Sequence, residues 1–374
     1  MTLEFNGGEL RLARSFHGFS LEHVAERVGK TRQYLHKLEN GSGVPSPQLA
    51  QELSDLLGVS PNFFFTKPSL EILSDEQFHF RKLFTAKAQI KSVTIARGTL
   101  VGRLVDYLDK ELHLPDVIVP SVDLSSAASF EEIERAAELC RNEWGLGLGP
   151  ISNMTRLAEH VGAVVTTFKA VSTEVDALSM TLGRPVIVLN EAKQSICRRR
   201  FDIAHELGHA VFHVGLQTGD RVTEMQANRF ASSLLLPRSM MLKLFPRPRG
   251  SRLDWAGLRD FKLTWKASKA AILYRARQLD LISEGQYKTG VIGLRARGES
   301  MLEFEERDGL IPSERPELLA RSLAVLSEKR GIHLKDIAEK LSIGESFFIE
   351  MLGFDPRPDL PRPPLTRPAL RLVA

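Results

Sequence analysis

The sequence predicts a mostly α-helical protein with one small β-sheet, in which an α+β core is flanked by an all-α N-terminal domain and a helical C-terminal region. Amphipathic segments with apolar residues at helical spacing recur from Leu10 to Phe354. Short β-branched runs, in "GAVVTTF" and "RPVIVLN", are confined to one stretch before residue 191. At 374 residues, with 43% hydrophobic and 26% charged, the chain has room for two or three domains and the composition of one that folds.

Composition excludes more than it identifies. A formal charge of +4 is too mild to name a partner. Two cysteines, Cys140 and Cys197, without C-x-x-C spacing argue against a disulfide framework and a thiolate zinc site, and fit a reducing compartment. The opening "MTLEFNGGEL" carries acids, and nowhere do about 18 apolar residues run together, so no membrane is expected and the chain reads as cytoplasmic.

The first segments, "LRLARSFHGFS", "LEHVAERVGK", "TRQYLHKLENG" and "SPQLAQELSDLLGVSPNFF", each carry an apolar stripe and are each too short to be stable alone, so residues 1–68 should form a bundle of small helices. Ser20 and Thr31 are placed to cap the second and third helices, and Gly29 to make the turn between them. These are the parts of a helix-turn-helix. Residues 69–125, with "TIARGTLVGRLVDYLDKELHLP" and the extended "PDVIVP", read as a helical connecting arm rather than a second core. Residues 126–285 begin with "SFEEIERAAELCRNEWGLG", a helix stopped by glycines, and continue into the strand-like runs.

Next comes "RRRFDIAHELGHAVFH", which sets His205 and His209 four residues apart, on one face of a helix, where two imidazoles can reach one ion. Glu206 then lies beside the ion, placed to take a proton from an activated water and pass it to a leaving amine. Glu224, on a second helix, supplies a third ligand, completing the two-histidine, one-glutamate set of hydrolytic zinc sites. The run "PVIVLN" is expected as an edge strand able to pair with an extended peptide. Asn228 either supports a ligand or merely caps and packs. His213 either helps an oxyanion or simply suits a helix C-terminus. Cys197 is expected as a small buried apolar residue, and Arg198 to Arg200 as a solvated charged face.

The stretch "RRRFDIAHELGH" followed by "EMQANRFASSLLLP" resembles the ImmA/IrrE family of zincin-like metallopeptidases over roughly residues 129–283. The resemblance implies an endopeptidase with His205, His209 and Glu224 as metal ligands, Glu206 as general base, and zinc or manganese as the ion. It also implies a protein substrate such as a repressor or an antitoxin, cut in a stress or phage-related response. "SLEHVAERVGKTRQYLHKLENG" resembles the XRE-type helix-turn-helix, which implies binding to double-stranded DNA through Thr31, Arg32, Gln33 and Lys37. Glu39 is expected to balance part of that helix's positive charge. A homodimer would suit two-fold operators, although no heptads enforce it.

Residues 286–356 contain "LLARSLAVLSEKRGIHLKDIAEKLSIGESFFIEML", which loosely echoes the N-terminal bundle; a coincidence of helix packing is preferred over a degenerate repeat. The Pro- and Arg-rich tail, 357–374, is expected to be extended or disordered. The leading reading is a regulator joined to a zinc endopeptidase, and the runner-up a non-enzymatic regulator or antitoxin with a structural or sensory metal site. An interaction scaffold with a ligand-sensing C-terminal region is the third.

Overall fold

The computed structural model describes residues 4–65, 67, 70–73, 78–79, 88–168, 177–181, 183–191, 194–216, 218–250, 252–356 and 371–372. Parts of the connecting arm, and all of the tail except 371–372, lie outside the described residues.

The N-terminal bundle comprises α1 (Gly7–Phe16), α2 (Leu21–Arg27), α3 (Arg32–Glu39), α4 (Pro47–Leu57) and a 3-10 turn at Pro61–Phe64. Its expected punctuation is present. Ser20 and Thr31 accept the backbone N–H groups of His23 and Tyr34, and Gly29 has φ +61.

After β1 (Phe78–His79), α5 (Ala88–Glu111) forms no second core but does more than connect. Leu100, Val101, Leu104, Val105 and Leu108 are all buried, in the same apolar core as α1 to α4. Burying each such side chain stabilises by about 1.5–3 kcal/mol, so this helix is a structural spine.

The central region contains β2 (Leu112–His113), α6 (Phe130–Glu143), α7 (Met154–His160), β3 (Val164–Phe168), β4 (Ala177–Thr181), β5 (Pro185–Asn190), α8 (Ile196–Phe212) and α9 (Arg221–Leu235). Four strands form one sheet in the order β1-β4-β5-β3, with β5 parallel to β3 and antiparallel to β4. The expectation that "PVIVLN" is an edge strand is therefore overturned. Every residue of β5 is buried because both faces of the sheet are covered. Val186 and Val188 enter the core shared with the N-terminal bundle, while Ile187 and Leu189 enter the core under α8. A continuous apolar run marks a strand buried on both faces, whereas a half-exposed strand alternates.

The chain continues through α10 (Arg238–Leu244), α11 (Trp255–Trp265), α12 (Lys269–Gln278), α13 (Glu284–Ala296) and α14 (Phe304–Arg307). It ends with α15 (Leu318–Arg330), α16 (Leu334–Lys340), α17 (Glu345–Leu352) and β6 (Arg371–Leu372), which pairs with β2. Buried acids clasp residues 299–318 to α8. Glu306 accepts from Ser195 Oγ and the Cys197 N–H at the start of α8, and Glu314 pairs with Arg200. Arg200 thus leaves the solvated face expected of the arginine run and is 1% exposed, because its guanidinium also donates to the carbonyls of Lys266 and Ile151. Cys197 is buried, as expected, and burial pushes its thiol up, away from thiolate chemistry.

Candidate metal centre

Two helices build the site. Ser195 caps α8 and Asp220 caps α9, the latter through the N–H groups of Val222 and Thr223. Gly208 lets the two approach. A Cβ there would stand 3.1 Å from Phe230 Cδ1 and 3.2 Å from Ala227 Cα, both on α9. This close crossing carries Glu224 to the histidines.

His205, His209 and Glu224 each offer a ligand atom, all within 4.8 Å of one another. The two Nε2 atoms are 3.1 Å apart, and each stands 3.5 Å from a Glu224 carboxylate oxygen. Both Nδ1 atoms are engaged on the far side. His205 Nδ1 lies 3.1 Å from Asn228 Oδ1, and His209 Nδ1 lies 3.0 Å from His213 Nδ1.

Hydrogen-bond logic fixes the tautomers. Gln226 donates its amide to the Ser125 carbonyl, so its oxygen accepts from His213 Nε2 at 2.9 Å. His213 must then accept at Nδ1, and His209 donates to it. Burial holds His213 below its ordinary pKa, consistent with that neutral ring. With Asn228 Oδ1 accepting from His205, both ligand histidines turn unprotonated Nε2 atoms toward each other and toward a carboxylate. Converging lone pairs of this kind repel unless a cation lies between them, so the donor set fits a metal ion.

Glu206 is 4% exposed and accepts from Ser179 Oγ of β4. Ser179 and Gln226 are functional candidates that sequence reasoning missed. Asn228 and His213 do lie at the site, and each buttresses a ligand histidine. The oxyanion option for His213 is not supported, because its ring lies between His209 and Gln226. At the β4 edge beside Glu206, Met180 and Ser179 pair antiparallel with Phe78 and His79 of β1.

The residues expected to contact DNA lie on α3 and, for Thr31, at its N-cap. Arg32, Gln33 and Lys37 are exposed. Thr31 spends its hydroxyl on the cap, and Arg32 pairs with Glu22 at 2.6 Å. Glu39 does not balance the outer face as expected. It is 5% exposed and turned inward to Arg14, whose Nε and Nη2 donate to its carboxylate at 2.5 and 2.8 Å.

A helix-turn-helix and a buried two-histidine, one-glutamate centre give the chain one part of DNA-binding type and one of metallopeptidase type. Residues 10–64 match the family model described as helix-turn-helix, and residues 158–277 match a peptidase-family model described as an IrrE N-terminal-like domain. The chain joins an XRE-type DNA-binding segment to an ImmA/IrrE-like peptidase segment. No curated protein matches it. No helix among the described residues is long and apolar enough to cross a membrane.

Proposed function

We propose that this protein is a cytoplasmic DNA-binding regulator whose peptidase domain is a zinc-dependent endopeptidase that cuts a repressor or antitoxin-type protein in a stress or phage-related response. The observation that carries it is the convergence of His205 Nε2, His209 Nε2 and Glu224 beside Glu206. His205, His209 and Glu224 would hold the ion; the set suits zinc and also accommodates manganese. When bound, such an ion polarises a scissile carbonyl and acidifies water.

The chain's own groups do the rest. Glu206 takes a proton from the attacking water and delivers it to the leaving amine, while Ser179 holds one of its carboxylate oxygens by donating to it. Asn228 and His213 orient the ligand rings. An extended substrate enters as a strand along β4 and displaces β1 from Ser179 and Met180. Thr31, Arg32, Gln33 and Lys37 are assigned to DNA, with Thr31 acting chiefly as the cap that presents the others.

The test compares new protein N-termini in the native host carrying wild type or Glu206→Gln, with and without DNA damage. Glu206→Gln is expected to retain its metal and lose about 10²–10⁴ in cleavage rate. A cleavage product seen only with wild type identifies the substrate. A variant that still cuts would remove Glu206 from the role of general base.

A further inference from the structure

The C-terminal helices share more with the N-terminal bundle than a coincidence of packing supplies. Laid on each other without a gap from Leu21 on Leu334, α2 and α16 have 7 residues each, and α3 and α17 have 8 each. The left-handed turn positions coincide, Gly18 with Gly331 and Gly29 with Ser342, whose φ of 57° serine rarely adopts. Core positions coincide as well. Val24, Ala25, Leu35 and Leu38 fall on Ile337, Ala338, Phe348 and Met351, all buried. The helix-turn-helix family match ends at residue 64 and does not include this second unit.

The outward face differs in a consistent direction. Arg32 and Lys37, the exposed cations of α3, fall on Glu345 and Glu350 of α17. Tyr34, 36% exposed, falls on Phe347, 3% exposed. Two acids in place of two cations repel a phosphate backbone. What α17 meets instead is this chain's own DNA-binding unit. Phe347 stacks on Phe16 of α1, with centroids 4.1 Å apart and planes at 20°, and meets His17 edge-on. Glu350 faces Arg97 at 3.3 Å and His17 at 3.7 Å. The turn before α17 joins the turn after α4, where Gly344 N donates to the Gly58 carbonyl at 2.8 Å and Ser60 N to that of Ser342 at 2.9 Å. The far end of α17 reaches the peptidase sheet, where Thr166 Oγ1 donates to the Leu352 carbonyl and a Cβ on Gly353 would strike the Thr167 carbonyl.

We propose that residues 318–353 are a second helix-turn-helix unit whose recognition helix grips protein in place of DNA, fastening the DNA-binding unit of the same chain to strand β3 of the peptidase sheet.

The test uses the full-length chain, a random-sequence DNA duplex as probe, and amide hydrogen exchange. Phe347→Ala is expected to speed exchange in both α1 and β3 by about tenfold or more while leaving α9 protected and duplex binding intact. Should that variant fail to fold, Glu350→Arg supplies the milder version, with exchange in α1 and α17 faster and restored when Arg97→Glu is added. Lys37→Ala should weaken duplex binding and lower its salt dependence by about one phosphate contact, whereas Glu345→Gln with Glu350→Gln should change neither. Undisturbed α1 exchange in Phe347→Ala, or in Glu350→Arg where that is the variant that folds, would overturn the docking role. So would duplex binding that shifts with the α17 substitutions as strongly as with Lys37→Ala. If Lys37→Ala alone has no effect, the assignment of α3 to DNA fails and the docking proposal stands on the exchange result.

Discussion

Replacing His213 by alanine removes the acceptor for the Nδ1–H of His209 and the donor to Gln226. Metal affinity is expected to fall about 10–100-fold with the fold intact, measured by competition against a chelator. Unchanged affinity would mean that α8 alone orients His209. Gly208→Val is expected to do more, because a branched side chain would drive α9, and Glu224 with it, away from the histidines. Loss of metal with retained helicity would confirm that the close crossing sets the site, and normal loading would refute it. At this scale the histidine pair of the candidate centre is legible in the sequence, because a four-residue spacing on a helix is geometry in itself. Ser179 is not, since it reaches Glu206 through the sheet from 27 residues away, and no local pattern encodes which face of β4 meets α8. Glu39 shows the same limit: its place on α3 is legible, but its inward partner Arg14 lies on another element.

At the scale of elements, the helices and their caps could be read directly, whereas their neighbours could not. Strand β5 reads as an edge from its own segment, because what makes it interior is pairing with β4 on one side and β3 on the other, and no local pattern encodes those partners. Helix α5 reads as a connecting arm because its buried residues, from Thr94 through Val105, run nearly all round and leave no clean stripe to mark an interior. The second helix-turn-helix is only faintly visible in the sequence because the outward positions of α17 differ from those of α3 in both charge and burial. What the two units share is the backbone path, set by the left-handed turns and the interior apolar positions.

For the whole molecule, the sheet is the partition: the DNA-binding unit with α5 and α15 to α17 shares a core with one face, and α8 occupies the other. The junction is titratable. Glu159 of α7 accepts the N–H groups of Glu317 and Leu318 at 2.9 Å each, and burial pushes its carboxyl up to about 7 from 4.5. A folded-state value above the unfolded one adds stability that is full below about 4.5 and lost as pH rises toward 7. Relative to Glu159→Gln, the wild type should therefore lose up to about 3 kcal/mol across that window, read from urea unfolding at a series of pH values. Parallel curves would show that the two N–H groups fully compensate the ionised carboxylate. The stacking of Phe16 on Phe347 also bears on how the chain is made. Phe16 leaves the ribosome with almost the whole polypeptide still to be translated, and for on the order of tens of seconds the aromatic ring that will cover it does not yet exist. A nascent chain stalled before α17 therefore displays a bare aromatic patch, which chaperones and quality-control proteases can read as the mark of an unfinished protein.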